Sequence, residues 1–203
     1  MIHKISGAIT KWLVKAGAIS EEDKELYEYA AFSFLFTLLP LALVLILGAV
    51  FGMLLEGVLL ILPFMLIRKF SGGYHLKSSV VCTISSTVLL SLFLLVIRVV
   101  TAHSAYPAYS IAVGVSVLLL IVLSPIDSEE RRLNERERIV FKKAAVVIAL
   151  AVGAVYAVLM LCSQPGMAVS VGSGLVLSAL LQLPCLVSRL VAGKKAHSHE
   201  TVR

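Results

Sequence analysis

The feature that most constrains this chain is the grouping of its apolar residues into blocks almost free of charge. Each block is about 17–23 residues long, the length a helix needs to cross roughly 30 Å of hydrocarbon. The blocks fall at residues 32–48, 51–67, 79–97, 108–123, 144–162 and 168–190. Backbone groups in lipid must satisfy one another, so such blocks read as helices. Composition agrees: soluble domains average about 45–50% apolar residues, whereas 59% of these 203 residues are hydrophobic and the mean hydropathy is +0.98. The expectation is an all-α polytopic membrane protein with about six transmembrane helices. A single membrane domain accounts for residues 1–203, with a helical N-terminal segment at 1–28, a membrane core at 29–190 and a tail at 191–203.

Charge sets the orientation. With six spans, the N-terminal segment, residues 68–78, residues 124–143 and the tail share one side. With Arg189 at the end of the sixth block, that side holds 17 of the 18 lysines and arginines, leaving Arg98 alone opposite. The positive-inside rule puts both ends in the cytoplasm of a cell membrane. Reading residues 32–67 as one long helix plus a re-entrant piece would strand Arg68, Lys69 and Lys77 outside, and is rejected. The net charge of +6 lies between apolar blocks rather than along a groove, which argues against a nucleic-acid partner. Three cysteines without paired spacing indicate neither a disulfide framework nor a metal site, and no cofactor is expected.

Residues 1–28 lack the uninterrupted apolar core of a cleavable signal. Ile2, Ile5, Ile9, Trp12, Leu13 and Ala16 form one helical stripe, with Lys4, Lys11 and Lys15 off it. This predicts an amphipathic helix in the inner-leaflet interface; a helix packed on the protein's own cytoplasmic face is the alternative. Ser20 with Asp23 reads as an imperfect capping box opening the next helix. Glu56 is the one acid inside an apolar block, and Arg98, at similar depth, is its expected structural partner.

The chemistry-bearing segment follows the second block: Arg68-Lys69-Phe70-Ser71-Gly72-Gly73-Tyr74-His75-Leu76-Lys77-Ser78, then Cys82. A base and a thiol this close at a membrane boundary suggest a cysteine nucleophile. The thiolate is the attacking species, and an adjacent imidazolium favours it. The histidine can also protonate an amide leaving group. On one straight helix the two side chains would share a face but lie about 10 Å apart. His75 must therefore sit on a chain that folds back toward Cys82, for which Gly72-Gly73 supplies the freedom. A headgroup-level histidine beside an inert cysteine is the plain alternative.

Arg68, Gly72-Gly73-Tyr74-His75 and Cys82 together resemble the signature of the AgrB family, the accessory gene regulator B proteins of Gram-positive quorum sensing. Ser124-Pro125-Ile126-Asp127, Leu133 and Lys142-Lys143 look like that family's second shared region, while Ser128-Glu129-Glu130-Arg131-Arg132 departs from it. The resemblance implies a membrane cysteine endopeptidase acting on an AgrD-type propeptide, working as a homodimer. It further implies Cys82 as nucleophile, His75 as base and acid, and Arg68 and Gly73 at positions needed for activity. Oxyanion donors could come from the backbone around Cys82, from Gly72-Gly73 or from Arg68. Asp127 could orient His75 or merely cap the following helix. Cys162 and Cys185, in the fifth and sixth blocks, read as packing residues, and His3, His103, His197 and His199 as surface histidines. The rival class is a small transporter or peptide exporter, compatible with Pro40, Pro63, Pro184 and Glu56 but lacking a phosphate loop.

Overall fold

The computed structural model describes residues 2–71, 79–125, 134–184 and 186. The described residues form seven helices and no strand: α1 (Ile2–Lys15), α2 (Lys24–Phe51), α3 (Leu54–Ser71), α4 (Ser79–Ala102), α5 (Tyr106–Leu123), α6 (Glu135–Leu161) and α7 (Pro165–Leu180). Four of them, α2, α4, α5 and α6, are long and apolar enough to cross a membrane. The other two core helices fall short for identifiable reasons. α3 has 18 residues but carries Glu56, Arg68 and Lys69, and α7 has only 16 residues.

Helix bounds differ from the apolar blocks. α2 begins eight residues before the first block and α6 nine before the fifth. Hydropathy marks the stretch suited to hydrocarbon, whereas a helix continues outward through charged turns until a cap stops it. The expected start at Ser20 falls in the turn before α2: the Asp23 N–H donates to Ser20 Oγ at 3.2 Å, and the Ser20 hydroxyl donates to Asp23 Oδ2 at 2.7 Å. The N-cap of α2 is Asp23 itself, which makes no side-chain cap bond. α6 opens on a full capping box, in which the Asn134 side chain caps the first turn and its N–H donates to Glu137 Oε2 at 3.1 Å. α5 and α7 open on prolines, where a missing N–H costs nothing.

Three tight turns, at residues 52–53, 103–105 and 162–164, join α2 to α3, α4 to α5 and α6 to α7. In each, one N–H reaches back three residues and the next reaches back five, the Schellman pattern: Gly52 to Ala49 and Met53 to Gly48, Ser104 to Thr101 and Ala105 to Val100, Ser163 to Met160 and Gln164 to Leu159. The left-handed position is Gly52 in the first turn, and Ser104 (φ 51°) and Ser163 (φ 59°) in the others. α3, α5 and α7 therefore run one way, and α2, α4 and α6 the other.

α7 is the centre, packed against α3, α4, α5 and α6. Every residue from Ala168 to Leu175 is buried. Its small side chains permit this approach: a Cβ on Gly174 would sit 2.7 Å from the Leu60 carbonyl oxygen and from Pro63 Cγ. With lipid outside, close packing of small residues replaces the hydrophobic drive between helices. Hydroxyls add to it, Tyr109 with Ser173 at 2.6 Å and Ser110 with Tyr156 at 2.8 Å. The outer surfaces carry the large apolar residues, among them Phe34, Ile46, Val88, Ile111, Val122 and Val147.

Two details bear on the sequence reading. α1 packs on α2 with its small polar residues inward: Ser6 and Thr10 are 0% exposed, whereas Ile5, Ile9 and Trp12 face out, Trp12 at 67%. The expected Glu56–Arg98 pair does not form, and among the described residues the ion pair within 4 Å is Lys24–Glu21. Glu56 stands in the first turn of α3, at the turn end of the bundle. There the unpaired N–H groups of the helix favour a carboxylate without a cation. Arg98 is exposed on α4.

Candidate active site

Cys82 is the fourth residue of α4 and a half-buried free thiol. It continues the inward stripe of that helix, formed by Ile97, Phe93, Leu90 and Ser86 at helical spacing. The opposite stripe, Val80, Ile84, Val88 and Leu92, is exposed. The thiol therefore lies on the face that α4 turns to the bundle, near the end remote from the tight turns.

Helix register fixes what shares its level. Gly57 of α3 approaches Leu94 of α4. Twelve residues back along α4 lies Cys82, and twelve on along α3 lies Lys69, both about 18 Å further toward the same end. Gly174 of α7 meets Leu60, Pro63 and Phe64 of α3, so Gln182, eight residues on, stands level with the segment from Arg68 to Ser71. α5 joins this layer through Ser124, whose Oγ accepts from Gln182 Nε2 at 2.8 Å. α6 joins it through Phe141, whose ring centroid is 5.8 Å from that of Phe70. Five helices thus bring Cys82, the end of α3, Ser124, Phe141 and Gln182 into one layer.

Arg68 is half-buried, with its guanidinium carbon 5.7 Å from the centroid of Phe64 one turn earlier. A planar cation stacked on an aromatic face is held in place by it. Ser71 is 1% exposed at the end of α3. Of the residues singled out in the sequence, Cys82 and Arg68 come to this layer. Gly72, Gly73 and His75 lie outside the described residues, as does Asp127; both segments leave from the layer, the first after Ser71 and the second after Pro125. Cys162 is not a packing residue: it is exposed, capping α6 at the opposite end. Cys185 lies outside the described residues. Gln182 escaped the sequence reading. The signal that could have found it is an amide alone inside an apolar block, since polar side chains there are expensive and usually have a purpose.

The chain is similar in sequence to known proteins. An AgrB-like protein 2 of Clostridium perfringens (strain 13 / Type A) is 35% identical over 89 residues, 44% of this chain and 42% of the relative. A second AgrB-like protein, from Clostridium perfringens (strain SM101 / Type A), is 30% identical over 89 residues with the same coverage. The matches span about two fifths of the length of these relatives. No solved structure matches. The family model for accessory gene regulator B matches residues 6–186, nearly the whole chain and all of the helices that build the Cys82 layer, and the chain belongs to the accessory gene regulator B family.

Proposed function

We propose that this chain is a membrane-embedded cysteine endopeptidase of agr quorum sensing, removing the C-terminal tail of an AgrD-type propeptide and promoting its cyclisation. The observation that carries the reading is the layer itself. Cys82 sits on the inward face of its helix, level with the end of α3 from which the Gly72-Gly73-Tyr74-His75 motif departs. Family membership supports a role in the agr system.

The chemistry follows from these groups. Cys82 attacks the carbonyl preceding the propeptide tail. His75 takes the thiol proton and delivers it to the departing amine, leaving an acyl-thioester. The N–H groups of the first turn of α4, those before Cys82, have no intrahelical partner; they, the Gly72-Gly73 backbone and Arg68 are the candidate donors to the oxyanion. Asp127 is the candidate to orient His75. An internal thiol or hydroxyl of the substrate then attacks the thioester, its proton passes through His75 to the Cys82 sulfur, and a thiolactone or lactone forms. Holding that nucleophile close gives it an effective concentration that water at the site does not match.

In this reading all six core helices span the cell membrane of a Gram-positive bacterium with both termini cytoplasmic, and the protein works as a homodimer. α1 lies in the inner interface, supported by its outward apolar stripe of Ile5, Ile9 and Trp12.

Cys82→Ala should abolish tail cleavage. His75→Ala should be nearly as damaging, and the double variant hardly worse than either, since the two act as a unit. Wild-type protein mixed with its propeptide should carry an N-terminal fragment on Cys82, seen by intact mass and released by hydroxylamine. Full processing by Cys82→Ala would falsify the reading and favour an exporter.

A further inference from the structure

Among the described residues one buried side-chain polar atom has no hydrogen-bond partner: Oε1 of Gln182. The residue is 0% exposed, and its Nε2 donates to Ser124 Oγ. Other buried hydroxyls of the bundle turn back onto their own helix: Ser116 to the Ala112 carbonyl, Ser170 to Gly166, Ser173 to Val169 and Ser178 to Gly174. Gln182 does not, and its carbonyl is left in an apolar interior. Leaving an acceptor unpaired there is costly, and a leucine or methionine of similar size would remove the cost. We propose that the free carbonyl of Gln182 is a substrate-recognition group, accepting a hydrogen bond from a main-chain N–H of the peptide that acylates Cys82.

The inference rests on Cys82 being the nucleophile. Register puts Gln182 in the Cys82 layer, which the scissile segment has to enter. Each non-proline residue of that segment brings an N–H that loses its water on entry and needs an acceptor. The Ser124 bond fixes the amide by its other arm, so little side-chain freedom is lost when the peptide arrives.

The probes are acetyl-Ala-Ala chloromethyl ketone, the same compound N-methylated between its alanines, and iodoacetamide. Each is applied to the full detergent-solubilised chain, with labelling of Cys82 followed by peptide mapping. Gln182→Leu and Gln182→Met should each lower the ratio of peptide-ketone to iodoacetamide rates about fivefold, the worth of one hydrogen bond. The methylated ketone should show the same deficit on wild type and no further deficit on the variants. Thermal midpoints of the variants should stay near wild type, relief of the unpaired carbonyl offsetting loss of the Ser124 bond. An unchanged ratio, a wild type indifferent to N-methylation, or a variant that loses midpoint and rate together would overturn the proposal. If none of the three reagents labels wild-type Cys82, the nucleophile reading falls and this one with it.

Discussion

Gly174 shows how little tolerance the centre of this bundle has. The atoms nearest a Cβ there are the Leu60 carbonyl oxygen and Pro63 Cγ at 2.7 Å and the Phe64 nitrogen at 3.1 Å. Gly174→Ala therefore has to push α3 and α7 apart, and should cost about 3 kcal/mol, the upper range for overpacking. At Gly172 the neighbours are the Val113 methyl at 2.8 Å and the Tyr156 ring at 2.9 Å, side chains with some room to turn, so Gly172→Ala should cost about 1–2 kcal/mol. Gly114 has nothing within 4 Å, and Gly114→Ala should be neutral or slightly stabilising. Denaturant titration in mild detergent would rank the three. A Glu56→Gln, Arg98→Ala double-mutant cycle should give a coupling near zero, because no contact joins the two; a coupling above about 1 kcal/mol would restore the pair. Cys82 was singled out in the sequence by residue type and spacing, and Arg68 by the family resemblance alone. Gln182 and Gly174 could not be assigned a job there: one depends on a missing partner, the other on a neighbouring helix's backbone, and neither leaves a trace in hydropathy.

The helices themselves were legible because apolar length is a strong signal. Their ends were less so: the start expected at Ser20 lies in the turn before α2, which begins at Lys24. Hydropathy gave no signal for the tight turns at Ser104 and Ser163, where residues with a Cβ occupy the left-handed position. An L-residue pays about 1–2 kcal/mol for that conformation, part of which glycine returns as lost backbone entropy. Ser104→Gly and Ser163→Gly should each stabilise by about 0.5–1 kcal/mol, adding when combined because the turns are separate. A matched loss of stability in both would mean that the serine hydroxyls, not the backbone, hold these turns.

Taken whole, the molecule carries leucines, valines and isoleucines on its outer surface as well as in its core, and adds buried glycines and hydroxyls along α7 at the centre. Hydropathy announced the membrane but is blind to which helix lies innermost; α7 is chosen by its small residues. If six helices cross, a cysteine at Arg136 should react with impermeant maleimide only from the cytoplasmic side, and one at Ala105 only from outside. The reverse pattern at either position would overturn the topology. The turns then make the two faces unequal. A surface of three connections, two or three residues each, gives an antibody, a phage or an external protease almost nothing to grip, and an epitope tag inserted there must break a Schellman motif to fit. Under the proposed function, diversification toward a new peptide has only the opposite face to work on, so two relatives with different peptides should be indistinguishable to any reagent that stays on the turn side.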